Sequence, residues 1–124
     1  MSNTGNTVNT GVAAADVPTE YHAHVYFALE DLARSEQLRQ LLIDAIPPDG
    51  VVHKLFARQV GPHPLPMFEI DYPASIKGDV QALLEQYRDG RPVLIHPVTD
   101  DELAAHTYGA QWLGQPLDLL LDRL

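Results

Sequence analysis

The chain contains no cysteine. Neither a disulfide framework nor a thiolate metal site is open to it, so any metal must be held by His, Asp or Glu. Positive charge is scarce as well: 8 Lys and Arg stand against 17 Asp and Glu, for a net charge of −9. That balance repels phosphate backbones and anionic membrane surfaces, which argues against nucleic acid or membrane as a partner. No apolar run approaches the ~20 residues that a membrane-spanning helix needs. Residues 1–18, rich in Asn, Thr, Gly and Ala, have neither the basic start nor the apolar centre of a secretory signal. They read as a disordered tail of a cytoplasmic protein. Residues 19–124 form one domain, with the 45% hydrophobic content of an ordinary globular chain.

What the sequence does have is histidine, six in all. The organising stretch is Tyr21-His22-Ala23-His24-Val25-Tyr26-Phe27, where β-branched and aromatic residues alternate without Gly or Pro. Alternation puts Ala23, Val25 and Phe27 on one face of a strand and His22, His24 and Tyr26 on the other. The two imidazoles then project the same way, roughly 6.5–7 Å apart at Cα, within reach of one transition-metal ion.

Downstream, Ala28 to Ile46 reads as a helix, with Leu38, Leu41, Leu42 and Ala45 at i, i+3, i+4 and i+7. Pro47-Pro48-Asp49-Gly50 ends it. Val51 to Val60 reads as a second strand, the proline-rich Gly61-to-Pro66 segment as a stiff loop, and Met67 to Tyr72 as a third strand with Glu69 and Asp71 facing away from the core. Ser75 to Asp89 is a second helix with Val80, Leu83, Leu84 and Tyr87 as its stripe, closed by Gly90. Pro92 to His96 is a fourth strand. Thr99 to Glu102 has capping-box spacing and starts a third helix reaching about Gln111, and Leu117 to Leu124 is an apolar tail.

The order is α+β, a ferredoxin-like βαββαβ plan: a four-stranded antiparallel sheet with both helices on one face and an extra C-terminal helix. The first strand lies inside the sheet, between the third and fourth. Ala23, Val25 and Phe27 must meet the helices, so His22 and His24 occupy the open face, with His96 adjacent on the fourth strand and Glu69 on the third. Two imidazoles plus a third, or plus one carboxylate, make the facial triad of a non-heme Fe(II) oxygenase. His22, His24 and His96 are thus the candidate ligands, with Glu69 as fallback. Fe(II) is the expected metal; Zn(II) or another divalent ion can replace it. His106 can turn toward the same pocket. His63 does so if the proline loop folds back, and His53 is assigned no role. Arg58 and Tyr26 are candidate substrate-binding groups, the first because a guanidinium meets a carboxylate bidentately. Taken alone, a His-x-His pair in a strand is also satisfied by ordinary hydrogen bonds. A non-catalytic binding module of the same fold, or a dimer interface on the open face, stays an alternative.

Four blocks carry a resemblance. Tyr21 to Phe27, Gly61-Pro62-His63-Pro64 running into Met67-Phe68, His96-Pro97-Val98-Thr99, and Asp101 to Gly114 ending in Trp112-Leu113-Gly114 together resemble the DOPA 4,5-dioxygenase family. The likeness runs from about Tyr21 to Leu119. It implies an extradiol ring-cleaving dioxygenase acting on a catechol such as DOPA with Fe(II) and O2, usually as a homodimer. Within that reading His106 and His63 are the acid–base groups. The chain departs from the family pattern at Phe56 and at Gly109, where the family tends to carry histidine.

Overall fold

The computed structural model describes residues 17–124. The expected disordered tail therefore lies almost wholly outside the described residues. The elements are β1 (Glu20–Tyr26), α1 (Leu32–Ala45), β2 (Val51–Val52), β3 (Met67–Pro73), α2 (Lys77–Tyr87), β4 (Val93–Pro97), α3 (Glu102–Ala105) and β5 (Gln111–Leu113). Short 3₁₀ turns at Leu29–Asp31, Ala74–Ile76 and Leu121–Arg123 complete the set.

The fold is α+β around one antiparallel sheet with strand order β2-β3-β1-β4-β5. It has five strands, where four were expected. The fifth arises because the third helix stops at Ala105, and Gln111 to Leu113 pair with β4 instead of continuing it. The N-cap of this helix is Asp101, whose carboxylate accepts from the Ala104 amide at 3.0 Å, and not Thr99 of the expected capping box. The expected extra C-terminal helix is thus one turn and a strand. The second strand is also shorter than expected: only Val51–Val52 are ladder residues. Residues 53–66 run as a loop, touching the sheet through the isolated bridge of Phe56 with Met67.

Strand alternation splits the interior into two layers. On one face Ala23, Val25 and Phe27 of β1 meet Phe68, Ile70 and Tyr72 of β3, Val93 and Ile95 of β4, and Leu38, Leu42, Val80 and Leu84 of the helices. The α1 stripe buries Ser35, Leu38 and Leu42, while Leu41 is 38% exposed. Ser35 is tolerated at this depth because Arg91 Nε donates to its hydroxyl at 3.1 Å. Arg91 Nη2 in turn lies 2.8 Å from Asp31, tying the start of α1 to the start of β4.

The second face was expected to be open, and it is covered. Tyr26, Met67 and Leu94 form a second buried cluster, overlaid by Phe56, Val60 and Leu65 of the loop, Trp112 of β5, and Leu117 and Leu119 of the tail. The tail is anchored by the Leu120 amide donating to the Pro62 carbonyl at 2.8 Å. It covers apolar surface that a bare sheet face would leave in water. The imidazoles lie at one end of this same face.

Phe68 is fully buried between sheet and helices. Phe68→Ala is expected to lower unfolding free energy in urea by about 3–5 kcal/mol, since it removes a large buried ring and leaves a cavity. Leu41→Ala, at a half-exposed site, is expected to change it by less than about 1 kcal/mol.

Candidate metal centre

Three antiparallel strands bring the site together by register. His22 lies opposite His96 on β4 and opposite Asp71 on β3. His24 lies opposite Glu69. Two further imidazoles arrive from outside the sheet. His63 is delivered by the loop, which turns tightly at Gly61 (φ 54°) and Pro62, closed by the His63 amide donating to the Val60 carbonyl at 3.0 Å. The fold-back places its ring 4.0 Å from that of His24. His106 caps the C-terminus of α3 with its ring 4.1 Å from that of His96.

His24, His63, His96 and His106 are all buried, at 2%, 6%, 6% and 7% exposure, so their protonation and hydrogen bonding decide what the centre can do. Burial, added to by the neighbouring rings, holds His24 well below the usual imidazole range. Burial likewise brings His63 and His96 down to about 4. All three are neutral near pH 7, the form in which imidazole can hold a metal.

The hydrogen-bond partners fix the tautomers. His96 Nδ1 lies 2.9 Å from the Pro97 carbonyl, and His106 Nδ1 lies 2.7 Å from the Glu102 carbonyl. A carbonyl only accepts, so both rings carry their proton on Nδ1 and present a bare Nε2 lone pair to the cavity. His63 is different. Its Nδ1 lies 2.6 Å from the Tyr26 hydroxyl, and burial raises the Tyr26 pKa so that the phenol stays protonated. Tyr26 donates, His63 Nδ1 accepts, and the His63 proton sits on Nε2.

His24 completes the set. Its Nε2 is 3.0 Å from His96 Nε2, while its Nδ1 is buried with no hydrogen-bond partner among the described residues. Glu69 Oε1 lies 3.8 Å from that orphaned atom. Two nitrogens each ~2.1 Å from one ion and at right angles to each other stand about 3.0 Å apart, so the His24–His96 spacing is that of two adjacent ligands. Moving the His24 proton from Nε2 to Nδ1 frees the second lone pair and turns an N–H toward Glu69. A carboxylate on the outer nitrogen is the usual partner of a metal-bound histidine. The donor set therefore fits a divalent transition metal.

Two overlapping groups of three have ligand atoms within 4.8 Å of one another: His22, His24 and His96, and His24, His63 and His106. His22, Glu69 and Asp71 form a third. His22 is the most exposed of the sheet imidazoles, its side chain at 28%, with Glu69 and Asp71 oxygens 3.5 and 3.4 Å from its nitrogens. Burial, and then the adjoining Asp71, raise Glu69 to about 8. Against the upward push of burial, hydrogen bonds from Glu69 and His53 hold Asp71 down.

The expected His22, His24 and His96 are brought together as the alternation required, and His63 and His106 join them. Arg58 is not. It is exposed and, among the described residues, makes only a 3.5 Å contact with the Gln59 carbonyl. Tyr26 is fully buried with its hydroxyl 2.6 Å from His63 Nδ1, and it is absent from the residues that line the cavity. The cavity, about 260 Å³, is lined by these imidazoles with Pro62, Glu69, Glu102, Arg123 and Leu124. Arg123 was missed: nothing in the apolar tail signals that its last turn closes on the site.

The two departures at Phe56 and Gly109 have structural reasons. Phe56 packs in the second apolar cluster. A Cβ at Gly109 would stand 2.9 Å from the Ala104 carbonyl oxygen, which also accepts the Gly109 amide at 2.8 Å.

The model of the Dopa 4,5-dioxygenase family matches residues 21–123. A DOPA 4,5-dioxygenase of Amanita muscaria is 28% identical over 113 residues, covering 85% of this chain and 49% of the relative, so the chain spans about half that protein's length. The crystal structure of a Nostoc punctiforme protein proposed to be a dioxygenase superposes with a TM-score of 0.78 at 28% identity, covering 85% of this chain and 90% of the other.

Two outcomes follow for the metal-free protein. The unfolded chain takes up protons at its histidines near pH 6.5, whereas folded His63 and His96 do so only near 4 and burial holds His24 well below the usual imidazole range. The unfolded state therefore binds more protons across that window, and stability falls as pH drops below about 6.5. Glu69 has the opposite sign, keeping its proton up to about 8 when folded, but one carboxylate is outnumbered by three imidazoles. Thermal melts after chelation are expected to show a maximum near pH 6.5–7, a steep acid side and a shallow alkaline one. Tyr26→Phe is expected to cost about 1–2 kcal/mol in the same melts by leaving His63 Nδ1 unpaired.

Proposed function

Because the chain belongs to the Dopa 4,5-dioxygenase family, we propose that it is an extradiol ring-cleaving dioxygenase that opens a catechol such as DOPA with Fe(II) and O2. The observation that carries this reading is the 3.0 Å approach of His24 Nε2 to His96 Nε2 inside a buried group of neutral imidazoles. His22, His24 and His96 would hold the iron, leaving positions for the two catechol oxygens and O2. Bound there, the metal would supply Lewis acidity and a path for electrons between the ring and oxygen.

The protein's own groups divide the proton work. His106 presents a bare Nε2, held in place by the Nδ1 bond to Glu102, and acts as the base that accepts a catechol proton. His63 presents an Nε2–H, set by the Tyr26 hydroxyl on its other nitrogen, and acts as the acid that returns a proton to an oxygen of the opening ring. The roles follow from what each Nδ1 faces, a carbonyl in one case and a phenol in the other. Glu69 stands on the outer side of His24, across the ring from His96, and so supports a ligand more directly than it replaces one. The covering loop and tail help to bury His24, His63 and His96, and burial strengthens the charge interactions among them.

The same reading takes the protein as a cytoplasmic homodimer, its oligomeric state open to light scattering. Among the described residues no helix is long and apolar enough to cross a membrane.

Metal analysis after anaerobic loading, followed by O2 uptake on a panel of catechols, tests the assignment. The wild type is expected to retain iron and consume O2 with DOPA or a related catechol. His24→Ala and His96→Ala are expected to lose iron. His63→Gln and His106→Gln are expected to retain it while turnover falls by about 10²–10⁴. A wild-type protein that retains no iron and takes up no O2 would overturn the reading.

A further inference from the structure

The cavity has one guanidinium that the proposed chemistry does not use. Arg123 is the sole Lys or Arg among its lining residues. It stands in a chain of net charge −9, whose overall field repels an anionic ligand. A local cation is then the means by which an anion would be recognised at this pocket. Arg123 is also held, not trailing: its Nη1 donates to Gln59 Oε1 at 2.9 Å, and its amide donates to the Leu120 carbonyl at 2.9 Å. Leu120 in turn is bonded through its amide to Pro62, the residue beside His63. One guanidinium nitrogen is thus occupied by Gln59, and the fork retains further donors. Its neighbours on the lining leave it that role. Among the described residues Arg123 forms no ion pair with either acid of the lining: Glu69 lies beside His22 and His24, 3.5 and 3.8 Å from their nitrogens, and the Glu102 contact with His106 is through the backbone carbonyl.

We infer that Arg123 is a specificity-determining residue, binding a carboxylate on the substituent of the aromatic substrate while the ring's two oxygens face the imidazoles. The inference rests on the dioxygenase reading for the orientation of the ring. The size of the cavity suits one small aromatic acid, being below the ~300–1,000 Å³ of sites for drug-sized ligands. Arg58, the sequence's first candidate for this task, is absent from the lining.

Calorimetric titration of the full chain loaded with redox-inert Zn(II) reads the contact without turnover. Dihydrocaffeic acid and its primary amide are the probes, since they share the catechol and differ in the charge. The wild type is expected to prefer the acid by about tenfold or more. Arg123→Gln is expected to weaken the acid by about ten- to a hundredfold and the amide by less than about twofold, and Arg123→Lys to recover part of the loss. Equal binding of acid and amide by the wild type, or equal weakening of both by Arg123→Gln, overturns the inference. Ring cleavage by the iron-loaded protein is scored separately. An acid preference that depends on Arg123 without any cleavage sinks the dioxygenase reading alone. Cleavage indifferent to the carboxylate sinks the role of Arg123 alone, and binding of neither probe sinks both.

Discussion

Four imidazoles buried side by side are the constraint around which this molecule is arranged. Removing polar nitrogens from water costs free energy unless each finds a partner. In His96 and His106 a backbone carbonyl supplies it, and in His63 a buried phenol does. These partners do more than offset desolvation. By occupying Nδ1 they set which rings show a lone pair to the cavity and which shows a proton. Function here is a consequence of how the outer nitrogens are satisfied.

Covering that arrangement requires the parts of the chain that look least regular. A four-residue helix brings a polar group to the pocket, while a proline-rich loop and a tail ending in a 3₁₀ turn each bring a polar group to the pocket and an apolar one to the second cluster. His63 and Leu65 come from the same loop, and Leu119 and Arg123 from the same tail. Apolar packing of Leu65 and Leu119 on Tyr26 and Leu94 holds the polar members in place. Prolines suit such a loop because they lower its entropy in the unfolded chain while leaving few amides to satisfy when it is buried.

Much of this was legible in the sequence where periodicity is strong. The alternation of β1 gave both its core face and its imidazole face, and the placement of His22, His24 and His96 on one surface needed only strand geometry and an antiparallel register. Helix stripes at Leu38 and Leu42 and at Val80 and Leu84 read correctly for the same reason. Illegible were the places where tertiary contacts override local pattern. Residues 53–60 alternate like a strand, yet only Val51–Val52 are paired in the ladder, because the loop leaves the edge to cover the second face. The helix from Glu102 ends early, since the Ala104 carbonyl bonds Gly109 in place of the helical partner four residues on. Arg58 and Arg123 are indistinguishable as sequence. What separates them is the docking of the tail on Pro62, a contact between distant segments with no local signature.

The orphaned Nδ1 of His24 joins stability to function. With its Nε2–H given to His96, His24 keeps a buried lone pair that nothing satisfies, a state that disfavours the metal-free fold. Transfer of that proton to Nδ1 turns the orphan into a donor toward Glu69 and leaves two lone pairs at ligand spacing. The metal-free protein therefore holds its binding geometry at some cost, and an ion that relieves the cost stabilises the fold by what it gains in binding. A buried unpaired nitrogen beside a protonated carboxyl group is an arrangement that selection for packing alone would replace with apolar side chains, and the proposed metal site accounts for its presence.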